Sequence, residues 1–172
     1  RQVLEGIERQ LACNKQEKLN YERAFQELAR KHPEIGHQNS LPGIGLIGAV
    51  RIVSRVVCPN RFVKAGHYLS YCGLIQLERR SGQVTYGRKK SRYSRELKYT
   101  YKIGAVTAIG GDNEINDYYE YLIKEKKCPE YQARHKAARR LAIWSLGVFK
   151  SGKKYQRRAI EKGNQEIKQP GL

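Results

Sequence analysis

Serine and tyrosine hydroxyls lie among a dense set of arginines and lysines between residues 81 and 102. These side chains are Ser81, Ser91, Ser94, Tyr86, Tyr93, Tyr99 and Tyr101. A hydroxyl surrounded by guanidinium groups suits phosphoryl transfer, because the cations stabilise charge on the phosphate oxygens. Aromatic rings interleaved with basic residues also suit stacking against nucleic-acid bases. Composition favours binding over catalysis, since no combination of residues in this segment requires a reaction.

The basic side chains of this segment begin just before Ser81 and continue into a predicted helix. Those expected to contact nucleic acid are Arg79, Arg80, Arg88, Lys89, Lys90, Arg92, Arg95 and Lys98. The whole chain of 172 residues has 34 Lys and Arg against 16 Asp and Glu, a formal net charge of +18. This excess is larger than solubility requires, so the sequence predicts an anionic polymer as partner. The alternative is a solvated basic face.

A glycine-rich turn that leads into an apolar segment lies at residues 41–54. Gly43 and Gly45 permit backbone angles that a side chain would forbid. The turn can therefore expose N–H groups at the start of a helix, where phosphate binds favourably. We predict that Gly43, Ile44 and Gly45 contact nucleic acid. The alternative is a tight turn inside a core, with Gly48 and Ala49 allowing close helix packing.

The spacing within this turn resembles a helix-hairpin-helix motif. The motif consists of an apolar residue, Pro, Gly, an apolar residue, Gly, three residues of any type, Ala, two residues of any type and an apolar residue. In this chain its defined positions hold Leu41, Pro42, Gly43, Ile44, Gly45, Ala49 and Ile52. Gln38 stands where the motif has an apolar residue, three positions before Leu41. We therefore expect the first helix of the motif to be weaker than usual.

Residues 1–31 are predicted to form one helix that pairs with a second copy as a coiled-coil arm. The residues on the two seam positions of a heptad are Leu4, Ile7, Leu11, Tyr21, Phe25 and Leu28. Asn14 and Lys18 interrupt this seam and would set its register. The alternative is an amphipathic helix that lies on its own domain. Pro33 and Gly36 are expected to end the helix.

The fold class predicted for the remaining chain is mainly α. Helices are expected at residues 43–58, 61–74, 94–109, 115–127 and 130–150, with a loop or short β-hairpin insertion at 75–93. The last helix is expected to direct inward Ala133, Ala137, Leu141, Trp144, Val148 and Phe149. The acidic residues Asp112, Glu114 and Asp117 are better explained by a helix N-terminus than by a metal site.

Cysteine spacing and hydropathy exclude several classes of protein. Cysteines 13, 58, 72 and 128 form no CxxC pair, and the four histidines do not supplement them at zinc-ligand spacing, so we expect free thiols and no structural metal. No run of about 20 apolar residues and no signal-peptide pattern occurs, which indicates a cytoplasmic setting. Methionine is absent, even from position 1, so we expect part of a longer or processed chain.

A series of short motifs occurs in order along the chain. They are Ser40-Leu-Pro-Gly-Ile-Gly, Arg61-Phe62, Tyr71-Cys72-Gly73-Leu74, Ser81-Gly82, residues 94–98, Asp117-Tyr118-Tyr119 and an Ala-rich helix at 133–144. The series resembles the C-terminal transposase domain of the insertion sequence 110 class, which includes Piv-type DNA invertases and recombinases guided by a bridge RNA. The resemblance implies a coiled-coil linker at 1–36 and the transposase domain at 37–155. A basic tail at 156–172 is expected to be disordered.

In that family, a RuvC-like domain with four acidic metal ligands is joined by a coiled coil to this domain, whose serine completes a composite active site. The resemblance implies that Ser81 is the nucleophile that attacks a DNA phosphodiester. It also implies Mg²⁺ in the RuvC-like domain, DNA and a guide RNA as partners, and a bacterial or archaeal nucleoid setting. No RuvC-like set of acids is present here, so this chain alone is expected neither to cut nor to join DNA.

Two functions therefore remain open at the level of sequence. The first is the serine-bearing part of a DNA transposase or site-specific recombinase. The second is a non-catalytic helix-hairpin-helix module that binds nucleic acid, in which Ser81 merely caps a turn. A tyrosine recombinase is excluded, because its set of Arg, His and Arg is missing ahead of one tyrosine.

Overall fold

The computed structural model describes residues 2–75, 77–81, 84–89 and 92–157, and helices dominate it. The α-helices are α1 (Gln2–Lys31), α2 (Pro33–Asn39), α3 (Leu46–Val56), α4 (Ala65–Tyr71), α5 (Arg95–Ile109), α6 (Glu114–Lys124) and α7 (Glu130–Ser151). A short 3₁₀ helix covers Pro59–Arg61, and the strands are β1 (Leu77–Ser81) and β2 (Val84–Lys89). The fold is mainly α, as the sequence predicts.

A single residue, His32, separates α1 from α2. Pro33 follows the end of α1 and is the first residue of α2, where its missing N–H costs no intrahelical hydrogen bond. Gly36 lies inside α2, so the prediction that it helps to end the first helix is wrong. α2 and α3 are joined by the glycine-rich turn at residues 40–45.

Side-chain caps determine where two of the later helices begin. The Ser94 hydroxyl accepts a hydrogen bond from the Leu97 backbone N–H at the start of α5, at 3.3 Å. At the start of α6, Asn113 Oδ1 accepts from the backbone N–H groups of Ile115 and Asn116. The cap of α6 is therefore Asn113, and the predicted acidic residues Glu114 and Asp117 lie in its first turn. Their charge suits the positive end of the helix.

The core forms where α7 packs against α2, α4, α5 and α6. Small side chains allow these helices to approach closely, and those that are fully or almost fully buried include Ala105, Ala108, Ala137, Ala138 and Ala142. Larger buried side chains fill the space between helices, among them Ile52, Leu97, Ile115 and Leu141. Complete burial of such a side chain stabilises the fold by about 1.5–3 kcal/mol. Of the residues predicted to point inward from α7, Trp144 and Phe149 are only half-buried.

A line of polar side chains crosses this core from α2 to α4. Gln38, Ser145, Tyr101 and Tyr68 are each completely buried, and consecutive members of the line are hydrogen-bonded to each other. Gln38 is the residue that replaces the apolar residue of the helix-hairpin-helix pattern. It anchors α2 to α7 by hydrogen bonding, where the pattern would use apolar packing.

The long helix α1 has no buried residue. Its last turns contact α2 and α3, where Phe25 and Ala29 are half-buried. Further toward the N-terminus, Leu4, Ile7 and Leu11 are each at least half exposed. Part of α1 therefore lies on its own domain, and the described contacts leave the remaining apolar seam open to solvent.

The chain after α7 folds back toward the start of α6. The Arg157 guanidinium is 3.1 Å from the Asp112 carboxylate and 3.7 Å from that of Asp117. Residues 158–172 lie outside the described residues, and with them nearly all of the tail predicted at 156–172. None of the helices in the described ranges has the length and apolar character needed to cross a bilayer.

Candidate nucleic-acid interface

Ser81 is the last residue of β1 and lies at the far end of a two-stranded hairpin. β1 and β2 pair antiparallel, with Leu77 opposite Lys89 and Ser81 opposite Val84. The pairing register shifts between Glu78 and Arg80. Four residues separate Leu77 from Ser81, so a strand rise of about 3.3 Å per residue places Ser81 about 13 Å beyond the start of β1. Ser81 is thus separated from the start of β1 by the full length of the strand.

The base of this hairpin is closed by a glycine against an aromatic ring. Gly73 has a φ of +65°, and a Cβ atom at this position would lie 2.4 Å from Cδ2 of Tyr93. Only glycine allows both the left-handed backbone and this close approach. Beside it, the Ser94 backbone N–H donates to the Tyr71 carbonyl at 2.9 Å. These two contacts bring together the chain entering the hairpin and the chain leaving it.

Cations gather around the base of the hairpin. Lys98 Nζ lies 4.7 Å from the centroid of the Tyr93 ring, which is a cation–π contact. His135 of α7 is half-buried nearby, and burial lowers its pKa. A hydrogen bond to the Leu74 backbone opposes that shift, while Lys102, Arg139 and Lys98 lower the pKa further. His135 is therefore neutral near pH 7, and the positive charge here comes from lysine and arginine.

The other predicted basic residues are distributed along the hairpin and the start of α5. Arg79 and Arg80 lie on β1, and Arg88 and Lys89 lie on β2. Lys90 and Ser91 lie outside the described residues. Arg92 is exposed on the chain that leads into α5, and Arg95 is exposed at the first residue of α5. The predicted basic residues whose backbone the structure describes thus lie on both strands, on the chain that follows Ser91 and at the start of α5.

Two arginines near these residues interact within the protein, and the sequence analysis did not predict their contacts. Arg55 of α3 makes a two-point ion pair with Glu96 of α5, which raises the pKa of Arg55 and lowers that of Glu96. The Arg61 guanidinium lies 4.6 Å and 4.7 Å from the rings of Phe62 and Tyr71. Arg55 therefore ties α3 to α5, and its charge is offset by Glu96.

The glycine-rich turn is pressed against the backbone of α5. Gly43 has a φ of +75°, and a Cβ atom there would lie 2.0 Å from the Gly104 carbonyl oxygen. Ile44 is buried, with 5% of its surface exposed, and its Cδ1 occupies the space above Gly104. Gly43 and Ile44 therefore pack against α5, in contrast to their predicted contact with nucleic acid. This agrees with the alternative of a tight turn in a core.

Gly45 differs from Gly43 in being exposed, with no atom near the position of a Cβ. It is the residue that precedes α3, and it provides no side chain to cap that helix. The first N–H groups of α3 therefore have no side-chain cap. Such groups are suited to bind an anion.

α3 runs antiparallel to α5, which separates the predicted residues into two groups. Gly43 contacts Gly104, Gly48 lies against Thr100, and Arg55 pairs with Glu96. The start of α3 is therefore near the second half of α5, whereas the hairpin joins the first end of α5. From residue 94 to residue 104 the distance along a helix axis is about 15 Å. The structure does not bring the glycine-rich turn and the hairpin together at one point.

A third basic surface, which the sequence analysis missed, lies between α6 and α7. We call it the α6–α7 groove, a cavity of about 840 Å³. Its charged and aromatic lining residues are Lys126, Lys136, Arg139, Arg140, Tyr118, Tyr121 and Trp144. The sequence contains a sign of this surface, because residues spaced by four positions lie on one face of a helix. This spacing relates Lys136, Arg140 and Trp144.

Within the groove, cations lie against aromatic rings. The Arg140 guanidinium carbon is 4.3 Å from the Tyr118 centroid and 5.7 Å from the Trp144 ring. Trp144 also stacks against Tyr155, with ring centroids 5.2 Å apart. Lys126 Nζ lies 5.7 Å from the Tyr121 centroid. The groove thus combines positive charge with flat apolar surface.

Metal binding is not supported by the residues that can be placed. In the ranges 2–75, 77–81, 84–89 and 92–157, no group of three or more His, Cys, Asp or Glu side chains could hold a metal ion. Thiols of the described cysteines are free, with Cys13 and Cys58 exposed and Cys72 buried. The chemistry available at the surfaces described here is that of hydroxyls, cations and aromatic rings.

Comparison with known protein families finds a similarity over part of the chain. No curated protein matches the chain. Residues 38–120, which include the glycine-rich turn, the hairpin and α5, match the model of the Transposase IS116/IS110/IS902 family. This match supports a role for the chain as part of a transposase or recombinase.

Proposed function

We propose that this chain acts in DNA transposition or site-specific recombination, where it supplies a serine nucleophile and a surface that binds nucleic acid. The observation that carries the proposal is the family match over residues 38–120, because it includes the whole hairpin and Ser81. The net charge of +18 supports a nucleic-acid partner. The position of Ser81 at the end of a hairpin with a closed base supports its role as nucleophile.

In the proposed reaction, the Ser81 hydroxyl attacks a phosphodiester of DNA. A bond forms between the serine oxygen and phosphorus, the bond to one sugar oxygen breaks, and that oxygen leaves with a proton as a free hydroxyl. The strand end then remains linked to the protein as a phosphate ester. Attack by the hydroxyl of another strand on this ester releases Ser81 and joins the strands.

A second domain of the RuvC type is part of the proposal, because the described residues do not fit a Mg²⁺ site. We assign the metal ion to that domain and not to this chain. The work of this chain is to hold the hydroxyl, the cations and the DNA. Arginine side chains suit the last role, since a guanidinium group can donate two parallel hydrogen bonds to a phosphate.

The segment from α2 to α3 is proposed to act as a helix-hairpin-helix element. Gly45 is exposed and leaves the first N–H groups of α3 without a side-chain cap. A phosphate would approach these groups at the positive end of the helix. Association of two chains through α1 is also proposed, supported by the exposed Leu4, Ile7 and Leu11. A guide RNA is a further proposed partner, since the same cations suit RNA as well as DNA.

The second candidate function is a module that binds nucleic acid without catalysis. The cation and ring contacts at Tyr93 and in the α6–α7 groove favour it, because such contacts need no reaction. In that case Ser81 would have no chemical role. The two candidates differ in whether a protein–DNA bond ever forms.

The test is Ser81→Ala in the complete protein, expressed in cells together with the DNA that flanks its gene. Excision products are measured by PCR, and the covalent protein–DNA adduct is measured on denaturing gels. We expect both to disappear while DNA affinity stays within a few-fold. Ser94→Ala is the matched control, since it removes a helix cap worth about 1 kcal/mol but no proposed nucleophile.

Ser91→Ala serves as a second control within the same basic segment. Loss of the adduct in Ser91→Ala or Ser94→Ala, with Ser81→Ala still active, would move the nucleophile elsewhere. If none of the three substitutions changes excision, the module without catalysis is the better description.

A further inference from the structure

Arg140 lines the α6–α7 groove and lies against two aromatic rings. Its guanidinium carbon is 4.3 Å from the Tyr118 centroid and 5.7 Å from the Trp144 ring. Cation–π contacts do not pair the charge with an anion, so the guanidinium group keeps N–H donors that suit anionic oxygens. The structure therefore preorganises Arg140 as an anion-binding group.

The charges around Arg140 reinforce this role. No Asp or Glu is among the residues that line the groove, whereas Lys126, Lys136 and Arg139 are. Among the described residues, no carboxylate forms an ion pair with Arg139 or Arg140. In contrast, Arg134 on the same helix pairs with Glu130. The positive potential of the groove is therefore not offset by acidic groups within it.

The shape and lining of the groove discriminate between anionic polymers. The volume of the groove, about 840 Å³, lies in the range of ligand-binding clefts, and the groove is open to solvent on one side. Arg140 is half-buried between rings, where a strand with unpaired bases can reach it more readily than the stiff backbone of a duplex. A basic groove with aromatic walls is the combination that single-strand-binding proteins use.

We propose that the α6–α7 groove binds single-stranded DNA, with phosphates at the cations and bases against the parts of the ring surfaces that the cations and Tyr155 leave uncovered. The choice of DNA rests on the proposed function, in which strand cleavage produces unpaired DNA ends. The groove would hold such a strand at a site separate from Ser81. No cleavage step is required for this binding.

Trp144 provides a direct probe, because it is the single tryptophan of the chain and lies in the groove. The 172-residue chain is titrated with unlabelled oligothymidine of about ten nucleotides, a length within the usual site sizes. We expect saturable quenching of tryptophan fluorescence. Parallel titrations use duplex DNA and single-stranded RNA of the same length. The choice of single-stranded DNA would be overturned if duplex DNA or single-stranded RNA bound more tightly than oligothymidine and quenched the tryptophan fluorescence more strongly.

Three substitutions locate the binding. Arg140→Gln is expected to weaken oligothymidine binding about tenfold, the effect of losing one charge-assisted hydrogen bond. Lys126→Gln removes an exposed cation and is expected to weaken binding even if Arg140→Gln disturbs folding. The matched control is Arg134→Gln, which removes one charge from the same helix outside the groove and should change affinity by roughly twofold or less.

The outcomes separate this proposal from the nucleophile proposal. Binding of oligothymidine without quenching, or equal loss in Lys126→Gln and Arg134→Gln, would overturn the groove as the site. Neither result would affect the adduct experiment on Ser81, since the titration involves no cleavage. Conversely, an active Ser81→Ala protein would refute the nucleophile and leave the quenching measurement unchanged.

Discussion

Gln38 and Ser145 lie 107 residues apart in sequence and exchange two hydrogen bonds inside the core. Gln38 Nε2 donates to the Ser145 carbonyl at 3.0 Å, and Ser145 Oγ donates to Gln38 Oε1 at 2.6 Å. Because the Ser145 proton is used in this way, the Tyr101 hydroxyl must donate to Ser145 Oγ, at 2.7 Å. Tyr68 must then donate to Tyr101. One side-chain amide thus sets the direction of a buried chain of hydroxyl groups.

This direction predicts the effect of Ser145→Ala. The substitution leaves Gln38 Oε1 without a donor and the Tyr101 hydroxyl without its acceptor, both of them completely buried. We expect a loss of about 3 kcal/mol in the free energy of unfolding, measured by urea denaturation. Ser54→Ala on the exposed face of α3 is the control and should cost less than about 0.5 kcal/mol. Equal stability of the two variants would contradict the network.

The two glycines of the turn are predicted to respond differently to valine. Gly45→Val should preserve the helical circular dichroism, because its Cβ meets no atom within 4 Å. It should weaken DNA binding by covering the N–H groups at the start of α3. Gly43→Val should unfold the chain, since its Cβ would meet the Gly104 carbonyl at 2.0 Å. Gly66→Val, also in open space, is the binding control.

Two results would contradict the expectations for Gly45→Val and Gly43→Val. Unchanged DNA binding by a folded Gly45→Val protein would remove the proposed phosphate role of the turn. A folded Gly43→Val protein would show that the contact with α5 is not tight.

Association through α1 is predicted from its exposed apolar seam. Leu11 is 53% exposed, and an apolar side chain in this position is stabilised by a partner helix. Light scattering should show dimers or larger species, and Leu11→Asp should give monomers. Gln16→Asp adds the same charge away from the seam and should leave the oligomer intact. A parent chain that is monomeric at high concentration would refute the proposed pairing.

DNA binding should depend steeply on salt. With about five phosphate contacts, the slope of log K against log salt is expected to be about −4.5. The slope is measured by fluorescence anisotropy with a labelled duplex between about 50 and 200 mM salt. Affinity that ignores salt in this range would be inconsistent with a role for the net charge in binding.

Thiol reactivity should distinguish the buried Cys72 from the exposed Cys13 and Cys58. Burial raises the pKa of Cys72 to about 12, so almost no thiolate exists at pH 8, whereas Cys13 and Cys58 are exposed. Mass spectrometry after brief iodoacetamide treatment should find Cys13 and Cys58 alkylated and Cys72 unmodified. Cys72 should react only in urea, and its labelling then reports unfolding of the core. Rapid modification of native Cys72 would show that this part of the core opens.

The helices could be predicted because their apolar residues recur with helical spacing, and because Pro and Gly mark many of their ends. The roles of residues that depend on contacts with residues far away in the sequence could not be predicted. Gln38 weakens a local pattern, but its partner Ser145 comes from the other end of the chain. Gly43 and Gly45 are two residues apart, yet only Gly43 meets the backbone of α5. The sequence predicts Trp144 as a core residue, whereas in the structure its ring lies against Arg140 and Tyr155.

The same limit applies to the candidate site. A serine followed by glycine in a basic segment can be recognised from sequence, but the distance between hairpin and turn depends on α3 running antiparallel to α5. The groove between α6 and α7 needs side chains from both helices, so no single stretch of sequence contains it.

Closure of the hairpin at Gly73 and Tyr93 makes its length independent of the helices. Because both ends of the hairpin leave the core at one point, extra pairs of residues can be added to the strands without moving α4 or α5. One residue added to each strand would carry the tip outward by about 3.3 Å and reverse the face of the side chains, whereas two would carry it about 6.6 Å and restore that face. The number of strand residues therefore sets the distance of Ser81 from the base of the hairpin.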